Sequence, residues 1–385
     1  MTLNPPLATI ALIIARPDRR PWPVFLRSVI LKGRYHLLAL GLVGIIANPA
    51  ASKDIRRLVA QGRVVPDWEK VNILKRVMLG LEAVGIGRVA AMPDSSHLVQ
   101  RAREDPSLTL DLELLDMPTF YSEGDTVRGA ALMEDMGVDC LITLGGDGTN
   151  RAVARGSCSI PMVPISTGTN NVFPTMVEGT QAGLAAGLVA RGSLPLDRAT
   201  VTSKTLEIYV DGEFRDMALI DVALSRERFV ASRAIWDINS VYEVFLTRAE
   251  PSSIGLSSVG ARLQAIGLND DLGLSYLVGD GVDPADGAAD IEPGAGGSVT
   301  GSKWVLAPIA PGVIPRVPIA SWRLMGLGER LAVERRLCTV ALDGERAFTV
   351  HPHEELAIVM ERNGPPVVQV DAALRLAAEL GLFSS

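Results

Sequence analysis

The chain is short of cysteine, histidine and aromatic residues. Its 385 residues include three cysteines, four histidines and 5 % aromatics. Cys140, Cys158 and Cys338 are odd in number, and no two stand at metal or redox spacing. That count sets aside a disulfide scaffold and fits a reducing cytoplasm. Positive charge is also short, with 37 Lys and Arg against 44 Asp and Glu, a net charge of −7. A nucleic-acid partner normally needs a basic face, so that class is set aside as well. No apolar run reaches the ~20 residues of a membrane span. Residues 7–15 are apolar, but no positive region precedes them and no clean cleavage site follows. Residues 1–40 carry Pro5, Pro6, Pro17, Pro21 and Pro23 among scattered arginines and read as an irregular extension.

What is present is an ordinary globular balance, 48 % hydrophobic and 21 % charged, in a chain long enough for two domains. Residues 41–195 alternate short apolar runs with longer amphipathic stretches. Strands are expected at 42–47, 88–92, 110–115, 139–144 and 162–165, and helices at 55–61, 68–83, 95–103, 125–136 and 170–191. Strands separated by helices predict a Rossmann-like α/β domain with a mostly parallel sheet. Past Leu196 the runs shorten, at 205–210, 216–224, 272–278, 303–309 and 338–342, which predicts a β-rich second domain over 196–350. Residues 279–302 read as a surface loop. The segment 351–385, with an amphipathic helix at 371–380, is expected to pack back on the first domain. Trp68, Met78, Met133 and Met136 read as core.

The chemistry gathers at strand ends. The run 141–144 leads into Gly145-Gly146-Asp147-Gly148-Thr149. Three glycines let the backbone turn sharply and let an anion lie against it. A helix starting near Thr149 would aim its free N–H groups at that anion. A bare phosphate cradle would repel Asp147, so the carboxylate implies a metal or a hydroxyl that must lose its proton. The combination points to phosphoryl transfer, which needs positioning and charge neutralisation more than covalent help. The spacing does not match a Gly-x-Gly-x-x-Gly dinucleotide turn, and the lysine of a phosphate loop is missing.

Two other polar turns follow strands. One holds Asn48 and Ser52; the other is Gly168-Thr169-Asn170-Asn171. The first, taken alone, reads as an ordinary turn, with ligand contact as the alternative. The second reads equally as a helix cap or a nucleotide contact. Lys53, Arg56 and Arg57 would open the first helix, where cations are unfavourable, so they read as a solvated face or as the mark of a nearby anion. Asp343 in Asp-Gly is a hairpin turn residue or a site residue, and Asp221 carries the same two readings. His351 and His353 alone make an incomplete metal site.

Together Gly145–Thr149 and Gly168–Asn171 resemble the superfamily of NAD kinases and diacylglycerol-type lipid kinases. Asn48-Pro49-Ala50-Ala51-Ser52-Lys53-Asp54-Ile55-Arg56-Arg57 is similar to one branch, the ATP-NAD kinase-like proteins related to acetoin-catabolism protein X. The resemblance runs from 41 to about 350. Pro308-Ile309-Ala310-Pro311 resembles a Pro-Ile-x-Pro-His segment of NAD kinases, and 341–345 their terminal Asp-Gly turn. Two segments depart. Ile220-Asp221 stands for an Asn-Glu pair, and Ser253-Ile254-Gly255-Leu256-Ser257 for a Thr-Gly-Ser-Thr stretch. Those regions grip the dinucleotide in NAD kinases, so the resemblance supports a kinase more firmly than an NAD kinase.

The resemblance implies an α/β nucleotide-binding domain, a β-rich domain and a site between them. It implies ATP and Mg²⁺ as cofactors, with Mg²⁺ near Asp147 and no firm protein metal ligand. It gives Asp147 the role of accepting the acceptor hydroxyl's proton. Gly145, Gly146, Gly148 and Thr149 would bind phosphates, with Asn48, Ser52, Gly168, Thr169, Asn170 and Asn171 around them. Asp221 and Asp343 would be second-domain contacts. The acceptor is NAD or another small-molecule hydroxyl, linked by the resemblance to acetoin catabolism, and self-association is common in the superfamily. Two alternatives stand beside it: a diacylglycerol-type lipid or polyol kinase, and a nucleotide-binding regulator without turnover.

Overall fold

The computed structural model describes residues 41–53, 60–227, 237–279 and 299–384, all within one compact unit, Leu40–Ser385. The expected extension over 1–40 lies outside the described residues, as do Arg56, Arg57 and most of the helix expected at 55–61. In chain order the first half runs β1 (Val43–Ala47), α1 (Asp67–Ala83), β2 (Arg88–Ala91), α2 (Leu98–Arg103), β3 (Asp111–Leu114), α3 (Glu123–Asp135), β4 (Cys140–Gly145), α4 (Asp147–Gly156), β5 (Met162–Ser166), α5 (Gly179–Ala190), α6 (Leu196–Ala199) and β6 (Thr200–Thr202). The second half runs β7 (Thr205–Val210), β8 (Glu213–Ala218), β9 (Asp221–Ser225), β10 (Val241–Leu246), α7 (Leu256–Ala261), β11 (Leu272–Val278), β12 (Val299–Leu306), β13 (Arg316–Gly326), β14 (Arg330–Ala332), β15 (Cys338–Leu342), β16 (Glu345–Val350), β17 (Leu356–Glu361), β18 (Pro366–Val368) and α8 (Val370–Glu379).

The architecture is α/β, with a parallel-sheet N-terminal part and β-rich C-terminal sheets. The first sheet has the order β3-β2-β1-β4-β5-β18-β6, and β1 to β5 all pair in parallel. Strand order reverses at β1, whose neighbours are β2 and β4. Ligands of open α/β sheets bind outside the carboxyl ends of the strands at such a reversal. Two antiparallel sheets follow, β12-β13-β11-β10-β9-β15-β16 and β14-β17-β7-β8.

Each face of the parallel sheet is buried, as its continuous apolar strands require. On one face Ile45, Val163 and Ile142 pack with Leu74, Met78 and Leu81 of α1, Ala182 and Ala186 of α5, and Leu376 of α8. On the other, Ile46, Leu141 and Met162 pack with Met133, Val153 and Phe173, and with Met217, Leu219 and Ile220 of the β8–β9 corner. The second antiparallel part is therefore fastened to the parallel sheet through a shared core.

Five expectations are corrected. The helix expected from Asn170 begins only at Gly179, where the Glu178 carboxylate accepts the N–H groups of Thr180 (2.7 Å) and Gln181 (3.3 Å). The run 216–224 is two strands in different sheets, broken at Leu219-Ile220. Residues 299–302 belong to β12 and not to the expected loop, whose 280–298 lie outside the described residues; β12 ends at Leu306, short of the expected 309. Met78 and Met133 are core, but Trp68 and Met136 are exposed. Trp68 sits in the first turn of α1, ahead of the stripe that meets the sheet, and Met136 follows the last turn of α3.

Helices α1 and α5 meet through glycine. A Cβ on Gly183 would stand 2.1 Å from the Val77 carbonyl oxygen, and one on Gly80 2.4 Å from that of Thr180. Backbone cannot yield as a side-chain tip can, so Gly183→Ala is expected to destabilise by about 1–3 kcal/mol. Urea unfolding checks this; an unchanged midpoint would show that the helices can part.

Candidate functional site

The loops after β1, β4 and β5 converge at the carboxyl edge of the parallel sheet. They line a cavity of about 520 Å³ that includes Asn48, Ser52, Gly146, Asp147, Gly148, Thr149, Gly168, Thr169, Asn170, Asn171 and Asp343. Gly145, expected to touch phosphate, lies beneath, as the last residue of β4. A Cβ on it would stand 2.5 Å from the Thr149 side chain, so glycine lets the strand turn directly into α4.

Helix α4 starts at Asp147 with Gly146 as its cap, and no side chain bonds its first turn from the cap position. The first N–H groups of a helix have no partner within it. They carry its positive end and form an anion site. The surrounding loops are tied to this turn. Asn48 Nδ2 donates to Thr149 Oγ1 at 2.9 Å, while Asn48 Oδ1 accepts the Ala50 N–H at 2.8 Å. Asn171, turned so that both ends of its amide are satisfied, accepts from the Ser166 hydroxyl (2.7 Å) and the Gly168 N–H (3.0 Å). Asn170 Nδ2 donates to the Ile309 carbonyl at 3.1 Å, across to the second part of the chain. Ser52, at φ 68°, accepts the Val65 N–H on its hydroxyl at 3.0 Å.

Two buried aspartates organise the remaining backbone. Asp147 accepts the N–H groups of Val172 (3.1 Å) and Phe173 (2.8 Å). That is why the segment after Asn171 is not helical: its N–H groups turn to a carboxylate. Asp343, at φ 49° in the β15–β16 turn, accepts those of Leu219 (3.1 Å), Ile220 (2.7 Å) and Asp221 (3.2 Å). This produces the break between β8 and β9. Asp343 is thus both a hairpin residue and part of the cavity wall. Burial pushes its carboxyl up to about 6, against the pull of Arg151 and the three N–H groups. Asp221 Oδ1 accepts the Gly344 N–H at 3.2 Å.

Asp147, Asn170 and Asp343 also border a second, smaller cavity of about 40 Å³, with Val172, Asp221, Ile238, Ile254, Leu256 and Ile309. The two segments that replace the dinucleotide grips therefore meet here, and the lining mixes apolar side chains with Asp147, Asn170, Asp221 and Asp343.

The larger cavity is acidic. Among the described residues Asp94, Glu123, Asp125, Asp147, Asp343 and Glu345 line it, with Lys53 as the one cation. Lys53 pairs with Asp67 at 3.0 Å. Polyphosphate in such a place requires added positive charge. Among the described residues no group of three or more His, Cys, Asp or Glu could hold a metal alone. Mg²⁺ does not ask for one, since it is usually held by one or two carboxylates, waters and substrate phosphates. Asp147 and Glu345 flank the glycine turn, with Glu345 Oε1 3.3 Å from where a Cβ on Gly148 would stand. The donor set fits a divalent ion that arrives with a nucleotide.

Residues 43–192 match the ATP-NAD kinase N-terminal domain, and residues 204–363 the acetoin catabolism protein X C-terminal domain. Acetoin catabolism protein X of Cupriavidus necator is 36 % identical over 356 residues, which cover 89 % of this chain and 94 % of that protein. The chain belongs to the acetoin catabolism protein X family. A diacylglycerol kinase structure from Bacillus anthracis strain Sterne aligns at 12 % identity and a TM-score of 0.39, over 85 % of this chain and 96 % of that one. Kinase-type phosphotransferase is the activity class that accompanies the N-terminal match. Among the described residues no helix is long and apolar enough to cross a membrane.

Three residues of the site were not singled out from sequence. Lys70 is fully buried, and its Nζ donates to the carbonyls of Asn48 (3.2 Å), Pro49 (2.8 Å) and Ala51 (3.0 Å). Burial lowers its pKa to about 8. The signal was a lysine beside the apolar stripe Val71, Leu74, Val77 and Met78. Arg151, also buried, joins Glu123 at 2.9 Å to Asp216 at 3.3 Å and lies 4.0 Å from Asp343. Arg248 stacks over the Phe173 ring at 5.2 Å and donates to the Val172 carbonyl at 3.4 Å, behind Asp147. Nothing local marks these two arginines, because their partners are distant in sequence.

Two outcomes follow. Lys70→Met leaves three carbonyls without their donor and is expected to cost about 3 kcal/mol, measured by urea unfolding; a loss below ~1 kcal/mol would deny the lysine its place as the loop's anchor. For Asp343 the folded pKa, about 6, lies above the ordinary 3.8. The folded state then keeps the proton longer, so this group's contribution to stability falls as pH rises from 3.8 to about 6. Asp343→Asn, which tolerates a positive φ, should flatten stability across that window; an unchanged slope would place the titration elsewhere.

Proposed function

We propose that the chain transfers a phosphoryl group from ATP to the hydroxyl of a small molecule. The observation that carries this reading is the open start of α4 at Gly146–Thr149, set in a cavity built from three strand-end loops. The phosphates lie against the N–H groups of this turn, with the Asn48–Ser52 and Gly168–Asn171 loops on either side. The Asn48–Thr149 bond fixes the first loop to the turn. Asp147 stands in the wall shared by both cavities. It accepts the proton of the attacking hydroxyl, which enters from the smaller cavity, and the N–H groups of Val172 and Phe173 hold its carboxylate in place. Asp147 and Glu345 would hold a Mg²⁺ carried in with the nucleotide, and the ion would neutralise phosphate charge.

The smaller cavity, at about 40 Å³, has room for a hydroxyl and a short carbon fragment. A drug-sized or larger ligand needs some 300–1,000 Å³. The acceptor is therefore a small, partly apolar alcohol or diol. NAD as acceptor, which would make the chain a source of NADP, is the reading this cavity disfavours.

ATP consumption with Mg²⁺ and a panel of diols, NAD and lipid acceptors tests the proposal. A diol or other small alcohol should be phosphorylated, and Asp147→Asn, which keeps an oxygen for the two N–H groups, should lower kcat by about 10²–10⁴-fold. Nucleotide binding with no turnover on any acceptor would make the protein a regulator. Full turnover of Asp147→Asn would remove Asp147 from the chemistry.

A further inference from the structure

Tyr121 has no role in the reading above, yet its conformation is the least ordinary in the site. It lies at φ 54°, in the left-handed region. The other non-glycine residues there, among those described, are Ser52, His97, Asp211 and Asp343. A bulky aromatic residue at positive φ is an outlier that persists only where its surroundings impose it. Here the cause is visible. The buried Asp125 accepts the N–H of Phe120 at 2.9 Å and that of Ser122 at 3.0 Å on the same oxygen. Both peptide neighbours of Tyr121 are pinned, and Arg128 holds Asp125 from behind.

The result of this clamp is exposure. Tyr121 is 68 % exposed and forms part of the lining of the 520 Å³ cavity. The adjacent Phe120 already lies under the Arg128 guanidinium, at 5.4 Å. The Tyr121 ring has no ring or cation partner among the described residues. A strained backbone that presents a bare aromatic face to a cavity, beside an anion-binding turn, suits a ligand with one anionic end and one planar end.

We propose that Tyr121 is the stacking platform for the planar base of the nucleotide in this cavity, a binding residue that separates a nucleotide from a bare polyphosphate. This rests on the phosphoryl-transfer reading, which places phosphates on Gly146–Thr149. Adenine of ATP and the rings of NAD share the required chemistry, and the experiment separates them. Base stacking is sequence-tolerant because every base has a π-face, and removing the platform weakens binding by roughly tenfold or more.

Equilibrium binding of ATP, NAD and inorganic tripolyphosphate, each with Mg²⁺, is measured on the wild type, Tyr121→Gly and Tyr121→Trp. Glycine suits the positive φ, so its Tm should equal or exceed that of the wild type. Whichever nucleotide the wild type binds should weaken about tenfold in Tyr121→Gly and be kept in Tyr121→Trp, with tripolyphosphate unchanged in both. Undiminished nucleotide binding by Tyr121→Gly overturns the proposal and leaves the kinase reading intact. So does an equal loss of tripolyphosphate, or a wild type that binds tripolyphosphate but neither nucleotide. A wild type that binds none of the three overturns the kinase reading and this inference with it.

Discussion

The carboxylate of Asp147 accepts the backbone N–H groups of Val172 and Phe173, and the rest of the site depends on that attachment. Asp147 is the first residue of α4, so the bond fixes the loop after β5 to the helix that follows β4. It keeps 170–178 out of the helix expected from Asn170. It leaves the start of α4 facing a cavity and brings Asn170 within reach of Ile309 in the second part of the chain. An unmade bond to a buried carboxylate is costly, so the arrangement is held firmly.

Asp343 repeats the device from the other side. Its carboxylate gathers the N–H groups of residues 219–221, breaks a would-be strand, and places Asp221 and Gly344 at the smaller cavity. Arg151 ties this turn back to α4 and to Glu123. The two halves of the chain therefore meet through a core, Met217, Leu219 and Ile220 against Val153 and Phe173, and through a polar seam. The wall of the larger cavity is built largely from loops held by side chains of other loops, on the sheet edge.

Much of this was legible in the sequence. The apolar runs that became β1, β2, β4 and β5 are continuous because both sheet faces are covered, and the glycine turn ends one of them. The three polar turns were readable as one edge because every strand of a parallel sheet ends on the same side. Two of the breaks could not be read for one reason: backbone N–H groups that turn to carboxylates far away in sequence. The helix from Asn170 fails because of Asp147, and the strand 216–224 because of Asp343. Lys70 and Arg151 were hidden for a related reason, since their partners come together only in the folded chain. The return of β18 to the parallel sheet rests on three residues and carries no periodicity of its own.

The central claim is that the first turn of α4 is the phosphate site. Backbone amide chemical shifts, recorded as a non-hydrolysable ATP analogue and Mg²⁺ are added, test it most directly. The largest shifts are expected at Gly146, Asp147, Gly148 and Thr149, with smaller ones at 48–52 and 168–171. Saturating shifts confined to other residues, with those amides unmoved, would contradict it.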